Sequence, residues 1–288
     1  MYLSPCWARV VQRNINMKAI KLKGANVAIT GAARGIGLAT AEAFAAQGAK
    51  VWIGDLDEVE AKAAAAKVGG RGYALDVRSK DSFAAFLGHV DGPLDVLVNN
   101  AGIMPMGAFL AEDDKVTKAI FDINTLGPIW GMKLALPSMI ERGQGHVVNV
   151  ASYMGKVPLA GVASYSASKH AAVGISEAVR DELHGTGVTV TAVLPSAVRT
   201  ELVAGVRLGG VLPTVEPEDI ATGIVKTCRT RQVIVAIPGW MRLYEPMAAI
   251  APDALVGGIR GGLARKRALD QLDKAGRASY QDRVNRLA

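Results

Sequence analysis

Tyr165 and Lys169 stand four residues apart in a stretch, 163–184, that reads as one long helix. That spacing puts both side chains on one helix face. Ser152 closes an apolar strand-like run 13 residues before Tyr165. A ketone becoming a secondary alcohol needs a proton as a hydride arrives. A phenol is too weak an acid near neutrality, but a close ammonium lowers its pKa. A serine hydroxyl can donate to the carbonyl oxygen. The three residues together are therefore suited to proton transfer in carbonyl–alcohol interconversion. Taken singly, a Tyr-x-x-x-Lys pair is common on surface helices, and Ser152 could cap the next element.

A second group suits a dinucleotide. Thr30-Gly31-Ala32-Ala33-Arg34-Gly35-Ile36-Gly37 falls where a strand turns into a helix. Gly31 permits the tight turn, Gly35 lets backbone approach a pyrophosphate, and Gly37 lets helix pack on strand. The helix N-terminus then offers free N–H groups to the phosphates. Asp55 ends the second strand, 18 residues after Gly37. A carboxylate there accepts two hydrogen bonds from a ribose diol and repels the extra phosphate of NADP. Arg34 is the counter-signal, since a guanidinium can hold that phosphate. Asp55 weighs more, so NAD is expected, with NADP the alternative. A plainer role for Asp55 is helix capping, because Asp57 and Glu58 follow it.

These residues need a scaffold, and the pattern supplies one. Strand-like runs at 26–30, 50–55, 72–77, 94–102, 145–152, 188–195 and 232–237 alternate with helix-like stretches at 35–47, 58–68, 81–90, 113–141, 163–184 and 217–230. The strands are apolar throughout, as strands covered on both faces are. Strand, helix, strand in succession implies right-handed crossovers. The expected fold is α/β: a single doubly wound parallel-sheet Rossmann domain of about seven strands, with a helical C-terminal extension. The expected boundaries are 1–21 for an N-terminal extension, 22–239 for the catalytic domain and 240–288 for a basic helical tail.

Composition narrows the class. The chain has 288 residues, half of them apolar and a fifth charged, which is globular. The net charge of +7 sits at the ends. Residues 1–23 carry five Lys or Arg and no acid, and residues 240–288 carry nine against five acids. A basic surface confined to the ends argues against a nucleic-acid groove. Cys6 and Cys228 are far apart, so neither a disulfide framework nor a metal site is expected. The start lacks a continuous apolar run or cleavage site, which predicts a cytoplasmic chain.

At Thr30–Gly37, Asp76-Val77, Asn99-Asn100-Ala101-Gly102, Asn124, Ser152, Tyr165-Ser166-Ala167-Ser168-Lys169 and Pro195–Thr200 the sequence resembles the short-chain dehydrogenase/reductase family. The resemblance spans about residues 22–237. It implies that Asp76 and Val77 flank the adenine, and that Asn99, Ala101 and Gly102 belong to the strand end beside the cofactor. It implies that Asn124 holds a water in a proton relay through Lys169, and that Val198 and Thr200 meet the nicotinamide amide. Lys169 would also hold the nicotinamide ribose. Two features depart from the family. Ser196 stands where glycine is usual, and the chain runs on for about fifty residues beyond Ile237-Pro238-Gly239-Trp240. That ending is similar to members acting on steroids, retinoids or other lipids.

Further expectations concern the surroundings. Met104, Met106, Met154, Leu159 and residues 201–212 are candidates to line an apolar substrate pocket or simply to fill core. A homo-oligomer, dimer or tetramer, is expected through 113–141 and 163–184, where Ala171, Ala172, Gly174 and Ala178 permit close helix contact. The tail's basic run, 259–269, suits an anionic membrane surface. A tail folded over the active site or a neighbouring subunit is the competing reading.

Overall fold

The computed structural model describes residues 18–206, 213–243 and 272–287. Seven parallel strands form one sheet in the order β3-β2-β1-β4-β5-β6-β9. These are β1 (Asn26–Thr30), β2 (Lys50–Asp55), β3 (Arg71–Ala74), β4 (Leu94–Asn99), β5 (Gly145–Val150), β6 (Val188–Pro195) and β9 (Ile234–Ile237). The short strands β7 (Ala197–Val198) and β8 (Thr214–Val215) pair separately, also in parallel. The helices are α1 (Gly35–Ala46), α2 (Glu58–Lys67), α3 (Lys80–Gly88), α4 (Asp114–Phe121), α5 (Gly127–Glu141), α6 (Ala163–Glu182), α7 (Pro217–Thr230) and α8 (Lys274–Leu287).

The central strands have no solvent face, which is why they are continuous in apolar residues. Val27 and Ile29 of β1 and Val96 and Val98 of β4 pack with Phe44 of α1 and Ile220 and Ile224 of α7. On the opposite face Leu97 and Val147 pack with Phe83 and Phe86 of α3, Ile120 of α4 and Met139 of α5. Phe44, Phe83 and Phe86 are fully buried. Each such side chain contributes about 1.5–3 kcal/mol through removal from water. The chain winds outward from β1 in one direction and from β4 in the other. The carboxyl ends of β1 and β4 thus flank the switch point where ligands of such sheets bind.

Two local departures from the sequence reading have physical causes. The third strand stops at Ala74, short of 77, because the Asp76 carboxylate accepts the Arg78 backbone N–H (3.0 Å) and turns the chain. The stretch 113–141 is not one helix. A π-helical turn, Asp122–Leu126, separates α4 from α5, and it carries Asn124, whose side chain bonds outside the helix.

The tail after Trp240 divides. Met241 packs under β6 and β9, the basic run at 259–269 lies outside the described residues, and α8 returns to the domain. Asp273 caps α8 by accepting the N–H groups of Ala275 (3.1 Å) and Gly276 (3.0 Å). Tyr280 and Val284 of α8 are buried in the cluster that holds Ile120 and Leu97. Among the described residues no helix is long and apolar enough to cross a membrane.

Candidate active site

A cavity of about 1410 Å³ runs along the carboxyl edge of the sheet. Drug-sized pockets span roughly 300–1,000 Å³, so this one has room for a dinucleotide and a second molecule.

The glycine turn forms one wall. Gly31 has φ +63°, and a Cβ on it would lie 2.7 Å from Ala101 Cα. A Cβ on Gly37 would lie 2.6 Å from Ala32 Cα and 2.7 Å from Asn100 Nδ2. Neither position tolerates a side chain, so β1, α1 and the end of β4 meet backbone to backbone. Asn100 fastens this meeting by donating to the carbonyls of Thr30 (3.0 Å) and Gly31 (2.8 Å). No side chain caps α1, whose first residue follows Arg34. The orphan N–H groups of that terminus favour an anion. Asp55 sits beside them and accepts the Ala33 N–H at 3.1 Å. The cap of α2 is Asp57, not Asp55: its carboxylate takes the N–H groups of Val59 and Glu60. Asp55 is thereby left lining the cavity with Arg34. These features fit a dinucleotide: an uncapped helix start for phosphate and a carboxylate at the end of β2 for a ribose.

At the far end stand Ser152, Tyr165 and Lys169. Tyr165 and Lys169 are both buried on α6, with Lys169 Nζ 5.8 Å from the Tyr165 ring centroid. Lys169 Nζ donates to Val150 O at 2.9 Å. Burial pulls its ammonium down to about 8. Burial pushes the Tyr165 phenol up, while a hydrogen bond with Ser152 works the other way. Ser152 Oγ also accepts the Met154 N–H at 3.1 Å. The capping role and the contact with the phenol therefore coexist in one hydroxyl.

Asp76 and Val77 also line the cavity. Burial pushes the Asp76 carboxyl up, but bonds from Arg78 outweigh it and hold it below its usual value. Of the residues expected in the site, Gly31, Arg34, Gly35, Ile36, Asp55, Asp76, Val77, Ala101, Gly102, Ser152, Tyr165, Lys169, Val198 and Thr200 line the cavity. Gly37, Asn99 and Asn124 lie just behind it. Asn99 turns into the sheet and donates to Asn149 Oδ1 at 2.8 Å. Asn124 supports the exit loop of β4 and donates to Ser168 Oγ at 3.1 Å. Ser196, which stands where the family usually has glycine, ties its loop down by donating its hydroxyl to Pro213 O (2.8 Å).

The end of the cavity at Tyr165 is apolar. Met104, Met106, Met154, Leu159, Leu202 and Val203 surround Val162 and Tyr165. Residues 207–212 of the expected pocket lie outside the described residues. The sequence reading expected a helical tail but named none of its residues in the site; in the structure α8 supplies several. Tyr280, Arg283, Val284, Arg286 and Leu287 form part of the cavity wall. The Tyr280 hydroxyl accepts the Met104 N–H at 2.7 Å. Arg277 donates to the carbonyls of Leu202 (3.0 Å), Ala204 (3.0 Å) and Met104. Among the described residues no group of His, Cys, Asp and Glu is placed to hold a metal ion.

The short chain dehydrogenase family model matches residues 25–209. The chain is 30% identical to estradiol 17-beta-dehydrogenase 11 of Rattus norvegicus, over 86% of this chain and 87% of that protein. A variant of actinorhodin polyketide ketoreductase, crystallised with NADPH, is 31% identical and superposes with a TM-score of 0.68 over 71% of this chain and 90% of its own. A short chain dehydrogenase/reductase from Burkholderia phymatum in complex with NAD shares the fold at 22% identity and a TM-score of 0.71, covering 79% of this chain and 93% of its own. The chain belongs to the short chain dehydrogenase family, NAD(P)-dependent oxidoreductases acting on CH–OH groups.

Proposed function

We propose that the protein interconverts a secondary alcohol and its ketone with NAD(H), on a lipophilic substrate. The observation that carries this reading is one continuous cavity. The uncapped glycine turn and Asp55 stand at one end, and Ser152, Tyr165 and Lys169 stand against an apolar wall at the other. The bound cofactor supplies or accepts the hydride, and its oxidised ring carries a positive charge. That charge and the Lys169 ammonium both favour the phenolate. Tyr165 is the acid/base, giving its proton to the carbonyl oxygen or taking it from the alcohol. Ser152 positions that oxygen by hydrogen bonding. Lys169 also holds the nicotinamide ribose, and Asn124 positions the relay behind it. The methionine-rich wall supports a bulky apolar substrate, since Met side chains adapt to irregular shapes.

A second reading is an NADP-dependent ketone or 3-ketoacyl reductase. It is favoured by Arg34, which lines the same cavity as Asp55 and can pair with a ribose phosphate. Cys228, buried and unbridged, suits a reducing cytoplasm. Docking of α8 on the domain supports the reading in which the tail covers the active site; the membrane reading rests on the undescribed basic run.

The test is NADH or NADPH formation scanned over secondary alcohols, sterols and long-chain alcohols included. NADH formation fastest with bulky apolar alcohols is expected. Formation of NADPH only, or no turnover of any alcohol or matching ketone, would overturn the proposal.

A further inference from the structure

Helix α8 lines part of the cavity. At one end Tyr280 and Arg277 grip Met104, beside Tyr165. At the other, Arg78 Nη1 donates to Leu287 O at 2.5 Å, beside Asp76. From residue 277 to residue 287 a helix rises about 15 Å. Arg283 lies between these anchors. Its Nη2 donates to Glu201 Oε2 at 2.6 Å, and Arg34 Nη1 reaches the same oxygen at 3.5 Å. Glu201 follows Thr200, whose Cγ2 would stand 3.4 Å from a Cβ on Gly35. Two guanidiniums, one before α1 and one on α8, therefore converge on one carboxylate. All three side chains are partly exposed, at 37–57%, and all three residues line the cavity.

We propose that Arg283 exchanges Glu201 for the cofactor's pyrophosphate, so that α8 forms part of the dinucleotide site. The inference rests on the cofactor reading above. One carboxylate leaves the two guanidiniums a single charge in excess, whereas a pyrophosphate carries two negative charges and matches the pair. Arg also forms the stronger bond with a phosphate group because its donors are planar and paired. The pyrophosphate, and not a ribose 2′-phosphate, is the assigned target. The 2′-phosphate belongs beside Asp55 at the end of β2, whereas Glu201, which pairs with Arg283, follows Thr200 beside Gly35 of the glycine turn.

Calorimetric titration of the full chain with ADP-ribose, NAD⁺ and NADP⁺ tests this without turnover. Arg283→Gln should weaken ADP-ribose and NAD⁺ alike by about tenfold, the scale of one charge-assisted hydrogen bond. Its thermal midpoint should stay close to that of the unaltered chain, because a surface ion pair contributes little. Glu201→Gln should tighten both ligands, since it removes a competitor for the arginines and a like charge beside the phosphates. Several results overturn the inference. One is unchanged NAD⁺ binding by Arg283→Gln. Another is a loss confined to NADP⁺, which would assign Arg283 to the 2′-phosphate. A third is weakening by Glu201→Gln equal to that by Arg283→Gln, which marks a purely structural pair. A chain that binds neither NAD⁺ nor NADP⁺ would overturn the cofactor reading as well.

Discussion

Asn124 holds both backbone polar groups of Ile103: its Oδ1 accepts the N–H and its Nδ2 donates to the carbonyl, each at 2.9 Å. The π-helical turn aims the asparagine away from its own helix, and such turns often mark functional sites. The next residue, Met104, is gripped in the same way from the other side, by Tyr280 and Arg277. The exit of β4, which fronts Tyr165, is therefore clamped from two elements.

Asn124→Ala would leave two buried backbone groups without partners. Each costs about 1–3 kcal/mol. We expect a thermal midpoint lower by several degrees and a drop in turnover larger than the drop in cofactor affinity. Equal losses in both, or neither, would show that the clamp does not act on the catalytic end.

Removal of the phenol tests the proposed acid/base. Tyr165→Phe should lower turnover by about a hundredfold to ten-thousandfold and leave the NADH dissociation constant nearly unchanged. Near-normal turnover in the variant would remove Tyr165 from the mechanism.

Asp55 should set the cofactor preference. The wild type should bind NADH more tightly than NADPH. Asp55→Ala should narrow the gap by removing repulsion. It should also weaken both cofactors somewhat, because the carboxylate accepts the Ala33 N–H within the glycine turn. Fluorescence titration with both reduced cofactors decides. Tighter NADPH binding by the wild type would show that Arg34 dominates.

The parts of the site that were legible in the sequence are those set by short spacing. Tyr165 with Lys169 follows from one helical turn, and Gly31 with Gly37 from one strand-to-helix turn. The strands 26–30, 50–55 and 188–195 match their apolar runs because burial on both faces keeps their interiors largely apolar. What was not legible depends on contacts distant in sequence. The π-helical turn at Asn124 is decided by Ile103, not by local periodicity. Asn99 faces the sheet because Asn149 waits there. Helix α8 is polar over most of its surface, and Tyr280, Val284 and Leu287 give only a thin apolar stripe. Its docking depends on partners such as Met104, 176 residues away.

Association should use α6. Ala172 packs on the chain's own sheet, but Gly174 and Ala178 face outward, and among the described residues a Cβ placed on Gly174 would meet nothing within 4 Å beyond its own helix backbone and chain neighbours. A two-fold pairing of α6 with its symmetry mate would bring these small residues together. Light scattering at micromolar concentration should give a dimeric or tetrameric mass, and Gly174→Arg should lower it. A monomeric wild type would refute the pairing.

Acid should destabilise the fold through His146, which is fully buried. Thr227 Oγ1 donates to Ile224 O at 2.5 Å, so toward His146 Nε2, 2.9 Å away, it can only accept. Thr189 Oγ1 accepts from Arg231 and keeps its own proton for Nδ1 at 2.8 Å. The network thus assigns a neutral ring with its proton on Nε2. Burial, then the charges of Arg231 and Arg180, pull the imidazole well below its ordinary value. The unfolded chain takes up a proton near pH 6.5, and the folded chain does not until the pH is much lower. Stability at this residue is therefore intact above about pH 6.5 and falls as pH drops below it, by about 1.4 kcal/mol per unit. Urea melts at about pH 7.5, 6.5 and 5.5 should show this slope in the wild type and a shallower one in His146→Gln. Parallel pH dependence in the two proteins would mean that His146 accepts its proton in the folded state.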